Sequence, residues 1–171
     1  KILKDLSQEN SPLRPVDKSY STDSYLLEAL GDQLFIVTNS NAPNQKVITV
    51  NAKRPEEKNW KDFIPETEHV LSPSSGGGYF FARYIVDVIT QVVQYNAKGD
   101  NMGTIELPGI GTARGWNGTK EEEILYYSFT NYHSPGVLYS YDPKTKTSEL
   151  YWKPEIDFNP DDYVSEQVFY S

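Results

Sequence analysis

The sequence predicts an all-β protein, part of a β-propeller, in which four-stranded antiparallel sheets (blades) repeat along the chain. Three observations support this: the composition, a turn phrase that recurs at a fixed interval, and four strand-like runs between recurrences. Thirteen Tyr and seven Phe accompany many Val and Ile, with a single Met, and this composition favours strands over helices. Eleven Pro and eleven Gly punctuate these runs frequently.

The recurring phrase is an apolar alternating run that ends in Asn or Asp. It ends at Asp5, Asn51, Asn96 and Asp142, which are 46, 45 and 46 residues apart. Asn and Asp bond their own backbone and tolerate a left-handed conformation, so each position predicts a turn after a strand. A period near 45 fits either helical pairs or four-stranded propeller blades. The short β-like runs favour blades.

Each interval offers four such runs, separated by turn signals. The second run is the most apolar, as expected of a strand covered on both faces, and the fourth is more polar and ends in Pro, as expected of an outer edge. The runs are KILKDL and PLRPV as a remnant; SYLLEAL, QLFIVTN, QKVITVN and a segment around WKDFI; HVLSPSS, GYFFARYIVDV, TQVVQYN and GTIELP; and GTARGWN, EILYYSFTNY, GVLYSYD and SELYWKP. We therefore expect the end of one blade at 1–17, complete blades at 18–66, 67–109 and 110–156, and an exit segment at 157–171.

Charge and composition exclude several classes of protein. A formal net charge of -8 disfavours binding to nucleic acid or to an anionic membrane, because phosphates are repelled. The chain has no Cys, which excludes disulfides, zinc-thiolate sites and a cysteine nucleophile, and leaves the compartment, cytoplasmic or periplasmic, open. The first residue is Lys1, not Met, and we expect a piece of a longer protein.

Four phrases carry a family resemblance: TNSNAPNQKVITV (38–50), WKDFIPETEHVL (60–71), YSFTNYHSPGVLY (127–139) and DYVSEQVFYS (162–171). In this order and spacing they resemble the propeller of the prolyl oligopeptidase family of serine peptidases, over practically the whole chain. The resemblance implies a seven-bladed propeller that caps an α/β-hydrolase domain. The present residues would then be the tail of blade four followed by blades five to seven, with 157–171 leading into the catalytic domain.

The resemblance also implies a function. The parent would be an endopeptidase that cleaves after proline, whose propeller admits short peptides to the active site and excludes folded proteins. The Ser, Asp and His that break the bond would lie outside this chain, so these residues alone are expected to be inactive and to need no cofactor or metal. Expected partners are the oligopeptide substrate, the hydrolase domain and, through exposed blade faces, other copies of this fragment.

Few residues here are candidates for chemistry. No G-x-S-x-G occurs, and His69 and His133, the only histidines, are interpreted as ordinary junction and turn residues. Arg114 is the one candidate site residue: it lies on the first strand of its blade, which lines the channel in propellers and would meet an entering peptide. The favoured alternative is a structural salt bridge to an acidic neighbour such as Glu106.

Other motifs receive structural interpretations. The run SSGGG (74–78) lacks the Lys and helix of a phosphate loop and is expected to link the first and second strands flexibly. The acidic runs 121–123 and 161–162 are expected to be solvated turn charges, and Glu66 with His69 offers too few ligands for zinc. Asn117-Gly118-Thr119 matches a glycosylation acceptor but is expected to be a hairpin turn.

The sequence alone leaves two alternatives open for the whole protein. One is a non-enzymatic propeller that binds a partner or serves as a scaffold. The other is the dipeptidyl peptidase branch, which joins a propeller to the same hydrolase fold, although NAPNQKV and SPGVLY look more like the oligopeptidase branch. WD-repeat and sialidase-type propellers are excluded, because no Gly-His and Trp-Asp pairs and no repeated Asp box occur.

Overall fold

A computed structural model describes residues 1–7, 9–16, 21–132 and 136–155. In these ranges the chain forms antiparallel β-sheets and one short 3₁₀ turn, Glu57–Asn59. It divides into two compact units, residues 1–73 and 74–171, which are taken in turn. No helix in the described part has the length and apolarity to span a membrane.

The first unit contains two sheets whose strands pair with their neighbours in sequence. The first sheet has two strands, β1 (Ile2–Leu3) and β2 (Arg14–Pro15). The second sheet has four, in the order β3 (Ser24–Leu30), β4 (Gln33–Thr38), β5 (Lys46–Asn51) and β6 (Lys61–Ile64). The strands of the second sheet are those predicted for the second repeat.

A small apolar core joins these two sheets. One face of β4 and β5 contributes alternate residues, Leu34 and Ile36 opposite Val50 and Ile48, and Val16 packs against them from beyond β2. Apart from Gln33, every residue of β4 is buried, which explains why this run is continuously apolar.

The second unit contains the other two sheets. The third sheet runs in the order β7 (Ser72–Gly76), β8 (Tyr79–Val86), β9 (Ile89–Asn96) and β10 (Asn101–Thr104), and the first two residues of β7 belong to the first unit. The fourth runs in the order β11 (Thr112–Gly115), β12 (Leu125–Thr130), β13 (Val137–Asp142) and β14 (Thr147–Trp152).

An aromatic core fills the space between the third and fourth sheets. Trp116 stacks on Tyr127 with ring centroids 4.4 Å apart, and Phe81 of β8 packs against Trp116 and Tyr141. Gly115, at φ 147°, supports this packing, because a side chain there would collide with the backbone of β12. The core residues are Phe81, Val92, Ile105, Ala113, Trp116, Leu125, Tyr127, Phe129 and Tyr141.

One polar bridge crosses this core. Gln94 of β9 is fully buried, and its Nε2 donates to the Pro143 carbonyl at 2.8 Å. The Tyr141 hydroxyl of β13 donates to Gln94 Oε1 at 2.5 Å. Burial raises the pKa of the Tyr141 phenol, which therefore stays protonated and able to donate. Both sheets thus share a satisfied hydrogen-bond network inside an apolar core.

The turn prediction at the four recurring positions is confirmed. At each position a side-chain oxygen accepts the backbone N–H two residues later, which is the geometry of an Asx turn. The distances are 2.9 Å for Asp5, 2.8 Å for Asn51, 2.9 Å for Asn96 and 2.7 Å for Asp142. The Ser7 hydroxyl, followed by the Ser7 N–H, lowers the pKa of the Asp5 carboxyl, and the Lys144 N–H lowers that of Asp142.

Two local predictions in the third repeat are wrong. Ser74, Ser75 and Gly76 belong to β7 and are not a flexible link; only Gly77 and Gly78, at φ 59° and 78°, form the turn to β8. The last strand is not GTIELP but Asn101–Thr104, and Pro108 comes four residues after it. The segment after the strand is tied down instead by the Ile105 N–H, which donates to Val92 O at 2.8 Å.

Candidate functional site

Arg114, the candidate from the sequence, lies on β11, the edge strand of the fourth sheet. Its neighbour Ala113 is fully buried in the aromatic core, so Arg114 projects from the opposite side of the strand and is exposed. It pairs with Ser128 of β12, whose hydroxyl donates to the Arg114 carbonyl at 3.3 Å. The backbone here is therefore held by the sheet while the guanidinium is free to reach outward.

The fold brings a second arginine into the neighbourhood. Arg83 of β8 shares a face with Phe81 and lies opposite Val92, on the side that meets the fourth sheet. Burial lowers the pKa of this guanidinium, and the positive charge of Arg114 lowers it further. Two hydrogen bonds link the strands here: the Thr90 N–H donates to Gly111 O, and the Ala113 N–H donates to the Thr90 hydroxyl, each at 3.0 Å.

The predicted salt bridge between Arg114 and Glu106 is wrong. Within the part of the chain that the structure describes, neither Arg83 nor Arg114 takes part in an ion pair. The ion pairs there are Lys46–Asp62, Lys53–Asp32, His69–Glu68, Lys120–Glu121 and Lys144–Glu123. Two neighbouring guanidiniums without a carboxylate are suited to accept one, or a peptide carbonyl, from outside.

A second feature of this unit is a cavity of about 410 Å³ beside the outer strands of the fourth sheet. Its walls come from segment 106–108, from Tyr127 and Tyr139, and from segment 146–148. The hydroxyls of Tyr127 and Ser148 are buried beside each other, with no other hydrogen-bond partner among the described residues. Burial raises the pKa of the Tyr127 phenol, which the nearby Ser148 hydroxyl partly offsets.

Sequence reasoning missed this cavity. Tyr127 lies in the apolar run EILYYSFTNY, and a tyrosine with a structural role gives the same alternating pattern. Arg83 was missed for a similar reason, because a single Arg inside GYFFARYIVDV carries no local sign of its partner 31 residues later. Both features depend on how the third and fourth sheets face each other.

The remaining candidates have structural surroundings. His69 lies between β6 and β7, with its imidazole 3.6 Å from Glu68, and the Glu66 carboxylate accepts the Asn44 N–H at 2.7 Å. Glu121 and Glu123 make surface ion pairs with lysines.

The candidate glycosylation residue, Asn117, is exposed, and its amide donates to the Gly115 carbonyl at 3.2 Å. His133, Asp161 and Asp162 lie outside the described residues.

Comparison with known proteins gives relatives over almost the entire chain. It is 42% identical to the prolyl endopeptidase of Elizabethkingia meningoseptica over 169 residues, which are 99% of this chain and 24% of that protein. It is 28% identical to the dual function macrocyclase-peptidase POPB of Amanita bisporigera, over 98% of this chain and 24% of that protein. The chain thus spans about a quarter of the length of these relatives.

Solved structures agree. One, from a study of two prolyl endopeptidases and the role of inter-domain dynamics in their catalysis and specificity, superposes with a TM-score of 0.84 at 31% identity and covers 95% of this chain and 24% of its own. Prolyl oligopeptidase B of Galerina marginata superposes with a TM-score of 0.82 at 24% identity, and the match covers 94% of this chain and 24% of that protein. At this identity the likeness supports the fold alone. The family described as prolyl oligopeptidase, N-terminal beta-propeller domain, matches residues 2–154. The four-stranded antiparallel sheets are propeller sheets, and the chain belongs to the prolyl oligopeptidase family through its N-terminal β-propeller domain.

Proposed function

We propose that these residues form the later part of the propeller of a prolyl endopeptidase, the tail of blade four and blades five to seven of a seven-bladed ring. In this proposal the propeller admits short peptides to a serine-hydrolase active site and excludes folded proteins. The observation that carries it is the family match over nearly the whole chain, together with relatives named as prolyl endopeptidases.

The proposal places bond cleavage elsewhere in a longer protein. Nucleophilic hydrolysis needs a serine whose proton a histidine can take. In the described part of the chain, the His69 imidazole lies 3.6 Å from the Glu68 carboxylate, while the Thr67 hydroxyl contacts only the His69 backbone.

The direct test compares the 171-residue chain with the full-length protein that contains it. A short chromogenic peptide with proline before the scissile bond is expected to be cleaved by the full-length protein and left intact by the chain alone. A folded protein with exposed proline loops is expected to resist both. Cleavage by the chain alone would refute the assignment of catalysis to other residues, and a full-length protein without proline-dependent cleavage would favour a binding or scaffold module.

Arg114 and Arg83 are proposed to line the route that the peptide takes. Their support is the position of Arg114 on the first strand of its sheet and the lack of a carboxylate partner for either guanidinium in the described residues. Arg114→Ala in the full-length enzyme is expected to lower kcat/KM about tenfold for an acidic short peptide, the value of one charge-assisted hydrogen bond. Arg54→Ala, which removes an exposed arginine from the first unit, is the matched control. Unchanged rates and unchanged selection between short and long peptides in Arg114→Ala would rule the role out.

Self-association of the isolated chain is also proposed. The outer face of the fourth sheet exposes Tyr126, Tyr151 and Trp152, with the two tyrosine rings in edge contact at 4.8 Å. Exposed apolar faces of this kind bind partners, and the partner available to the isolated chain in solution is a second copy of itself. Light scattering is expected to show a mass that rises with concentration, and a Tyr126→Ser, Trp152→Ser variant is expected to reduce it. A constant monomer mass for the unaltered chain would contradict this.

A further inference from the structure

The cavity beside the fourth sheet carries opposite charges at its exposed side. Glu106 and Lys146 both line it and both are exposed. They do not pair with each other, although Lys146 is anchored by donating through Nζ to the Met102 carbonyl at 2.5 Å. Among the described residues Glu106 takes part in no ion pair. The wall thus presents one carboxylate and one ammonium that do not pair with each other.

The inner side of the cavity presents neutral hydroxyls. Tyr127 is 1% exposed, and its hydroxyl lies beside that of Ser148; neither has a hydrogen-bond partner elsewhere among the described residues. Buried polar groups in folded proteins nearly always have their hydrogen-bonding capacity met, so a buried pair of hydroxyls with no partner beyond each other calls for an explanation. Because both hydroxyls can donate, a ligand oxygen that reaches the inner wall satisfies both.

The remaining walls are mostly apolar and aromatic. Leu107, Pro108 and the Tyr139 ring form them, together with Thr147. Tyr139 stacks against Tyr127 with ring centroids 5.3 Å apart, which makes this wall flat. A volume of about 410 Å³ lies in the ordinary range of small-molecule sites and is too small for a folded segment.

We propose that this cavity is a binding site for a small zwitterion, a dipeptide with free termini. Its carboxylate lies toward Tyr127, Ser148 and Lys146, its ammonium lies on Glu106, and an apolar side chain packs on Leu107 and Pro108. Charge-assisted bonds of both signs are the recognition element. Because Glu106 and Lys146 form no ion pair with each other, each is available to one terminus of an extended dipeptide, which spans about 7 Å.

Other ligand classes fit less well. A phosphate group or a nucleotide would be repelled by Glu106 and by the net charge of the chain. A metal cation would need several carboxylates, and the cavity lining has one. The inference goes beyond the peptidase assignment and does not depend on it, because the binding is measured on this chain alone.

The experiment is a titration of the 171-residue chain by NMR with glycyl-leucine, N-acetylglycyl-leucine and glycyl-leucinamide. Glycyl-leucine is expected to bind with shifts confined to residues at the cavity. Each capped peptide, which lacks one charge, is expected to bind about tenfold more weakly. Glu106→Gln is expected to abolish the difference between glycyl-leucine and its N-acetyl form.

Tyr127→Phe separates a binding role from a structural one. The hydroxyl that it removes has no protein partner beyond the Ser148 hydroxyl among the described residues, so the variant is expected to be about as stable as the original chain while its affinity for glycyl-leucine falls about tenfold. Tyr126→Phe, on the exposed face of the same strand, is the control and is expected to change neither property.

Three results would overturn the proposal. They are no binding of glycyl-leucine at millimolar concentration, equal binding of all three peptides, and unchanged affinity in both Tyr127→Phe and Glu106→Gln. A Tyr127→Phe variant that is less stable but binds normally also counts against it, since its hydroxyl would then serve the fold.

Discussion

Removal of one oxygen atom from the buried bridge between the third and fourth sheets tests how the second unit is held together. In Tyr141→Phe the ring keeps its edge contacts with Phe81 and Trp116, so no cavity forms. Gln94 Oε1 loses its donor in a fully buried position, while Gln94 Nε2 keeps its bond to Pro143. An unsatisfied buried acceptor costs about 1–3 kcal/mol, and we expect a loss near the middle of this range, about 2 kcal/mol.

The assay is urea unfolding followed by tryptophan fluorescence, because Trp116 lies in the same core. With a slope of about 2 kcal/mol per molar urea, the loss corresponds to a fall of about 1 M in the midpoint. Tyr126→Phe, an exposed tyrosine one strand away, is the matched control. A loss in Tyr141→Phe no larger than in the control would refute the idea that the bridge stabilises the core.

The remaining predictions concern the backbone and pH. Val88, at φ 64° in the exposed tip between β8 and β9, is a β-branched residue in the left-handed region, so Val88→Gly is expected to stabilise the chain by about 1 kcal/mol in urea unfolding. Val70→Gly, at another exposed site, is the control, and a stability gain there as large as at Val88 would contradict the turn argument. Gly115→Ala places a Cβ 2.5 Å from the Tyr127 Cα and is expected to cost about 2 kcal/mol or more, whereas an unchanged melting temperature would show that the strand can shift. Burial holds the pKa of the Tyr141 phenol above its unfolded value of about 10, so the stability that it contributes is complete below pH 10 and is lost as the pH rises further. Circular dichroism is therefore expected to show unfolding above that pH, and a weaker pH dependence in Tyr141→Phe.

The sequence predicted those elements in which the local residue pattern matches the environment that the residues have in the fold. QLFIVTN is continuously apolar and becomes β4, buried on both faces. Asn51 and Asn96 end strands with the side-chain bonds that their residue types favour. In such stretches the same local forces act in the chain and in the fold, so a single sequence is enough.

Prediction from sequence failed where the neighbouring sheet decides. β7 contains three serines, Pro73 and Gly76, which is a poor composition for a strand. Contacts with the chain around the fourth sheet hold it: Ser74 Oγ donates to Gly115 O and the Gly118 N–H donates to Ser75 O, each at 3.0 Å. Glu106 was considered as a salt-bridge partner for Arg114, but the sequence does not show where its side chain lies. In the fold, the Ile105 N–H bonds to β9, and the side chain of Glu106 lines the cavity.

The strictly sequential order of strands in each described four-stranded sheet has a kinetic consequence. Hairpins between adjacent strands close in microseconds, and each Asx turn needs only three residues of chain. The slow event is the meeting of sheet faces whose contacts are far apart in sequence, such as Gln94 and Tyr141 at a separation of 47 residues. During synthesis, each sheet can therefore complete its own ladder as it leaves the ribosome and wait, with one apolar side exposed, for the next sheet to arrive.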